Sequence, residues 1–170
     1  QQGVRTLKRG LPMTGDNNLL KSQFYSSLGD AYNSLSKFSA SDSAYEKALS
    51  LNPDDVYVLN NYAYYLSLRN VKLDRAAEMS RKSNLLSPNN SSFLDTCGWI
   101  LFQQGKYSDA KDWIVRAINN GGTKSETILE HLGDVYYKLG NVDEAVKYWQ
   151  QAKENGSKNQ LIDKKISDRK

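Results

Sequence analysis

Apolar and small residues recur along this chain in a four-fold pattern. Tyr25, Leu28, Gly29 and Tyr32 are followed by Leu59, Tyr62, Ala63 and Leu66, then Leu94, Cys97, Gly98 and Leu101, then Leu129, Leu132, Gly133 and Tyr136. Within each set the steps of three and four keep the residues on one side of a helix. The central small residue returns after 34, 35 and 35 positions, a period of helix-turn-helix repeats. A second pattern follows each first one. Ser41, Tyr45 and Ala48 precede Pro53; Ala76, Ser80 and Ser83 precede Pro88; Ala110, Ile114 and Ala117 follow Gly98; Ala145, Trp149 and Ala152 follow Gly133. Each unit therefore predicts two antiparallel helices that approach where both carry little bulk, Gly29, Ala63, Gly98 and Gly133 facing the small residues Ala76, Ala110 and Ala145.

The periodicity predicts first helices near 22–36, 56–68, 91–104 and 126–139, and second helices near 40–51, 73–86, 107–119 and 142–155. Asp54 or Asp55, the run Asn89 to Ser92, and Asn155-Gly156 supply the boundary signals. Pro12, Pro53 and Pro88 fall outside every predicted helix interior, as their missing N–H requires. The second unit has one extra residue between its halves. Gly121-Gly122 reads as a helix stop, because a phosphate loop would need a preceding strand. The chain divides into 1–21, 22–55, 56–90, 91–125, 126–159 and 160–170. Val4 to Leu11 has the pattern of the second helix of an earlier, truncated unit. Leu161, Ile162 and Ile166 have the spacing of a capping helix, with Lys158, Lys164, Lys165, Arg169 and Lys170 expected to face water.

The order small, large, small, break resembles the tetratricopeptide repeat (TPR), whose consensus is W-x2-L-G-x2-Y, A-x3-F, P. The likeness covers residues 22 to 159. No unit has tryptophan at the first consensus position, Ser80 replaces the aromatic of one second helix, and Gly122 and Ser157 stand where proline is usual. The resemblance implies an all-α fold, a right-handed α-solenoid of stacked hairpins. It implies a scaffold that binds a peptide or protein segment along its concave groove. A structural or self-assembly module, or a regulatory region of a larger envelope protein, stays open beside it, and an enzyme ranks third. Leu59 to Tyr64, Leu94 to Trp99, Gln104 to Tyr107 and Ile128 to Asp134 are similar to the C-terminal portion of long bacterial repeat proteins. That likeness implies a periplasmic or envelope location, with the cytoplasm also open.

In proteins of this kind positions 2, 5, 9 and 12 of each first helix line the groove. Carried over, they are Gln23, Ser26, Asp30 and Asn33; Tyr57, Asn60, Tyr64 and Ser67; Ser92, Asp95, Trp99 and Phe102; Thr127, Glu130, Asp134 and Tyr137. Aromatic rings bury large area at low entropic cost, and amides such as those of Asn60 and Asn61 pair with a peptide backbone. Tyr64, Trp99, Phe102 and Tyr137 are the candidate anchors, with Tyr57 beside them; the same rings would also suit packing between units. Asp30, Asp95, Glu130 and Asp134 would favour a partner carrying basic residues, and the rings one carrying aromatic residues. A subclass of the family clamps a partner's terminal carboxylate with asparagines, lysines and an arginine. The corresponding residues here are Ser26, Asp30, Asn61, Ser92 and Thr96, and only Asn61 fits.

Composition narrows the classes. With 170 residues, 39% hydrophobic and 25% charged, the chain can bury a continuous core. The formal charge of +4 comes from the ends: residues 1–15 and 157–170 each carry +3, leaving −2 between them. A nucleic-acid binder would place its positive field on the binding face, so no nucleic-acid partner is expected. No apolar run is long enough to span a membrane, and Gln1 to Gly10 lacks the apolar core of a signal peptide. One histidine, His131, and one cysteine, Cys97, cannot make the usual structural zinc set, and no metal or cofactor is expected. His131 has Glu130 and Asp134 nearby but no nucleophile placed for it, so a hydrogen-bonded histidine, at the surface or between units, is expected. Cys97 occupies a packing position and reads as a buried small hydrophobe.

Overall fold

The computed structural model describes residues 1–169; Lys170, expected to face water, lies outside the described residues. Those residues form ten α-helices and no strand. The helices are α1 (Gln2–Gly10), α2 (Asn18–Ser34), α3 (Phe38–Leu51), α4 (Val56–Leu68), α5 (Leu73–Leu86), α6 (Ser91–Gln103), α7 (Tyr107–Asn119), α8 (Glu126–Lys138), α9 (Val142–Glu154) and α10 (Ile162–Asp168). The pairs α2/α3, α4/α5, α6/α7 and α8/α9 are the four hairpins. Among the described residues no helix is long and apolar enough to cross a membrane.

Helix starts follow side-chain caps that satisfy the otherwise orphaned first N–H groups. Asp55 Oδ1 accepts from the N–H groups of Tyr57 and Val58, and Asn90 Oδ1 from those of Ser92 and Phe93. Asn17 accepts from Leu20, so α2 begins at Asn18 instead of near residue 22. The stretch expected as one helix and a loop also contains a short 3-10 turn over Leu11–Thr14. The turn inside each hairpin is the same four times. A residue in the left-handed region ends the first helix: Ser36, Asn70, Gly105 and Gly140. The N–H after it bonds back to the carbonyl of the last large residue, Lys37 to Tyr32, Val71 to Leu66, Lys106 to Leu101 and Asn141 to Tyr136, at 2.9–3.1 Å. This is the six-to-one bond of a Schellman cap. The extra residue of the second unit is absorbed by a second left-handed residue, Lys72, with φ of 48°.

The small central residue is required by what lies over it. A Cβ on Gly98 would sit 3.1 Å from the carbonyl oxygen of Ala110 and collide with Ile114; one on Gly133 would sit 3.1 Å from the carbonyl of Ala145 and 2.5 Å from Trp149 Nε1. One on Gly29 would come within 2.8 Å of the Tyr45 ring. The contact therefore has two parts, small on small and glycine under a large side chain. The second hairpin reverses the volumes, with Ala63 on α4 and Ser80 on α5, both fully buried.

Successive first helices pack directly on each other, α4 on α6 and α6 on α8, whereas the second helices meet mainly the first helix of the next hairpin. An inner layer in contact and an outer layer spread apart make a curved solenoid with α2, α4, α6 and α8 inside. The ends differ. α1 packs against α2 without a fully buried residue. α10 packs on α9, with Ile162 buried among Leu129, Trp149 and Ala152. Two expectations for this end are corrected. Leu161 is 62% exposed because it precedes the first turn of α10, and Lys165 turns inward to two carboxylates instead of facing water.

Gly133→Ala tests the packing contact. The added methyl meets the rigid Trp149 indole, and overpacking of about 1–3 kcal/mol exceeds the helix-propensity gain of about 1 kcal/mol. A lowered urea midpoint with an altered Trp149 environment is expected; an unchanged or raised midpoint would show that the close approach is not needed.

Candidate functional site: the inner wall

The inner layer brings the stripe residues of α4, α6 and α8 onto one continuous face. Tyr57, at the start of α4, is 64% exposed and sets its ring edge-on to Phe93 at 5.7 Å. Asn61, Tyr64, Trp99, Phe102 and Tyr137 are half-buried, while Asn60 and Asp95 are buried. The rings form a stack: Phe102 lies 4.6 Å from Trp99, and Trp99 lies 3.9 Å from the His131 imidazole on the next first helix, both nearly parallel. Tyr64 lies 6.5 Å from the same imidazole, tilted against it. Burial, with Asp95, Tyr65 and Glu130 nearby, pushes the Tyr64 phenol up to about 12, so it is a neutral hydroxyl at neutral pH. Tyr137 leans on Trp149 at 5.9 Å.

His131 is the joint between the third and fourth hairpins. Its Nδ1 lies 2.9 and 3.0 Å from the two Asp95 oxygens, and both residues are buried. Of the two expected places, at the surface or between units, His131 takes the second, and its partner is Asp95 and not the neighbouring Glu130 or Asp134. Cys97 is buried, and burial pushes its thiol up, a state that disfavours the reactive thiolate.

The other stripe acids are also engaged across helices. Asp30 accepts from the Tyr45 hydroxyl at 2.5 Å and the Tyr65 hydroxyl at 3.3 Å. At the far end Asp134 accepts from Trp149 Nε1 at 2.9 Å and from Lys165 Nζ at 2.7 Å. Glu130 accepts from Lys165 Nζ at 2.8 Å, from Ser157 at 3.2 Å and from the Asn159 amide. Carboxylates expected to await a basic partner are therefore bridges between neighbouring helices. A signal for the last of these was present in the sequence: Glu130 and Lys165 are one repeat step of 35 apart, the spacing that sets like positions of successive inner helices side by side.

The geometry and the stripe together define a helical-hairpin repeat scaffold with a curved, aromatic and polar inner surface. The chain belongs to the tetratricopeptide repeat family: sequence profiles of that description match residues 22–55, 44–78 and 127–158. It is 30% identical over 86 residues to the TPR repeat-containing protein PA4667 of Pseudomonas aeruginosa, 51% of this chain and 14% of that one. It is 33% identical over 108 residues to the TPR repeat-containing protein MJ1428 of Methanocaldococcus jannaschii, 62% of this chain and 18% of that one. The chain thus spans less than a fifth of the length of these relatives. Its fold is similar to that of PilW, a type IV pilus biogenesis factor, with a TM-score of 0.81 and 17% identity over 99% of this chain and 79% of that one. Proteins built of such repeats are in general interaction scaffolds without catalytic centres.

The Lys165 bridge carries a pH dependence. Burial opposes the charge on Glu130, but the hydrogen bonds from Lys165 and Asn159, the Lys165 charge and the Ser157 hydroxyl outweigh it and hold the carboxyl below its ordinary value. Burial likewise opposes the charge on Lys165, and the Asp134 and Glu130 carboxylates outweigh it and raise the ammonium above its ordinary value. A depressed acid stabilises above its unfolded pKa of about 4.3 and a raised base below its unfolded pKa of about 10.4. Docking of α10 is therefore expected to be strongest between about pH 5 and 10 and to weaken as pH falls through the folded Glu130 value. Hydrogen exchange of the α10 amides measures this. Lys165→Met should shrink the acid-side dependence, part of which Asn159 and Ser157 would still sustain, and cost about 1–3 kcal/mol by removing the one ammonium that Glu130 and Asp134 share; protection unaltered by the variant would refute the bridge.

Proposed function

We propose that this chain is a non-catalytic scaffold that binds an extended segment of a partner protein along the inner wall of α4, α6 and α8. The observation that carries the reading is the ring ladder of Tyr64, Trp99 and Phe102, with Tyr57 exposed beside it, on the face where successive first helices touch. Half-buried rings on a rigid backbone offer contact area with little ordering cost. The amides of Asn60 and Asn61 lie on the same helix and suit a peptide backbone, while Glu130, Asp134 and Tyr137 continue the wall toward α10. His131 and Asp95 then act as the strut that holds Trp99 in place and not as a base.

Peptides selected from a random library on the wild-type chain test the proposal. Replacing Tyr64 and Trp99 together with alanine is expected to weaken the selected peptides by more than tenfold while circular dichroism stays helical. Tyr57→Ala, at the exposed ring, should weaken them with no change in melting temperature. Undiminished binding by both variants would place the binding surface elsewhere.

A further inference from the structure

α1 and α3 both pack on α2, and α3 and α5 both pack on α4. Each pair leaves a cleft between its helices, about 330 Å³ for the first and about 430 Å³ for the second. The two clefts are built on equivalent positions. Leu59, Arg75, Glu78, Met79 and Lys82 line the second where Tyr25, Ala40, Ser43, Ala44 and Lys47 line the first, 34 or 35 residues earlier.

Their charges differ. In the second cleft every charged residue has an opposite beside it: Arg75 lies 3.4 Å from Glu46 and 3.6 Å from Glu78, and Lys82 lies 2.7 Å from Asp54 and donates to the Pro53 carbonyl. The first cleft holds only Lys8 and Lys47, and no carboxylate lines it. Among the described residues neither ammonium has a carboxylate within 4.0 Å. What each has is a ring, Lys8 Nζ at 5.9 Å over Tyr32 and Lys47 Nζ at 5.4 Å over Tyr25. A ring face attracts a cation but supplies no counter-charge, so both lysines keep donors for an incoming acceptor. The sequence accounts for the contrast. Ala40 and Ser43 stand where the second cleft has Arg75 and Glu78, and residues 1–15 hold three basic and no acidic side chains. On the other side of α1 a smaller cleft continues the same chemistry, with Arg5 and Lys37 and again no carboxylate.

We infer that the cleft between α1 and α3 is a second docking site, for a segment of a partner protein that carries an apolar side chain flanked by acidic residues. Buried Leu28 and Ala44 give the cleft an apolar floor, over which the apolar side chain lies. The flanking carboxylates meet Lys8 on α1 and Lys47 on α3. Exposed ion pairs add little affinity each, so the buried side chain supplies the hold and the two lysines select the sign of the partner. This site shares no residue with the wall of α4, α6 and α8, and it stands or falls apart from it.

The test offers the wild-type chain two libraries of short peptides with the same apolar positions, one with aspartate and glutamate around them and the other with asparagine and glutamine. The acidic library is expected to yield binders, and the amide library none within tenfold of their affinity. Ser43→Glu copies the residue of the second cleft and sets a carboxylate four residues before Lys47, where the two pair along the helix. Position 43 is exposed, so the fold is kept, and the acidic peptides should bind this variant at least fivefold more weakly. Lys8→Gln combined with Lys47→Gln should weaken them at least tenfold. Equal recovery from the two libraries, or acidic peptides indifferent to Ser43→Glu, would overturn the inference. Acidic peptides lost with Tyr64→Ala and Trp99→Ala would overturn it too, because they sit on the inner wall. A concentration-dependent dimer that Ser43→Glu dissolves would assign the cleft to a second copy of the chain and equally remove the acidic segment.

Discussion

The spacing between the two helices of each hairpin governs everything else in this molecule. It is set where a backbone without a side chain lies under a large residue of the partner helix: Gly29 under Tyr45, Gly98 under Ile114, Gly133 under Trp149. Glycine inside a helix costs about 1 kcal/mol against alanine, and the return is a close contact that a methyl would break. The second hairpin reaches a similar fit from the other side, with Ala63 and a small Ser80. Volume is conserved across the contact instead of residue type, and this explains why the repeat tolerates a departure that looks severe on paper.

Once the hairpins are fixed, polar residues join them. The inner stripe alternates rings, amides and acids, and most of the acids bond to the following unit: Asp30 to Tyr65, Asp95 to His131, Glu130 and Asp134 to Lys165. Buried charges need partners, and in a repeat array the nearest source of one is the next inner helix. The joints also hold the ring ladder, since His131 is bonded to Asp95 on one edge and stacked on Trp99 across its face. The same residues thus serve the continuity of the solenoid and the shape of its inner surface.

Much of the fold was legible because its determinants are local. Caps at Asp55 and Asn90 and steps of three and four each act within a few residues. The start of α2 was misread because Asn17 caps it from within a polar run that carries no apolar period. The fate of the acids was harder to see. Asp95 and His131 are 36 residues apart, and Glu130 and Lys165 are 35 apart, so their meeting depends on tertiary stacking. The arithmetic of the repeat could have paired them, had the repeat spacing been applied to the polar positions as well as to the apolar ones. The missing donor for the buried Asn60 Oδ1 could not be read from sequence, because it depends on which neighbours fail to reach it.

The asymmetry of the two ends sets a direction along the chain. α1 has no fully buried side chain, whereas α10 is pinned by Ile162 and by Lys165 seated between two carboxylates. In a stack where each element touches only its neighbours, order is lost first at the weaker contact. Thermal agitation would then loosen α1 from α2 before it loosens α10 from α9, and the ring ladder of α4 and α6 would still be closed when that first contact opens.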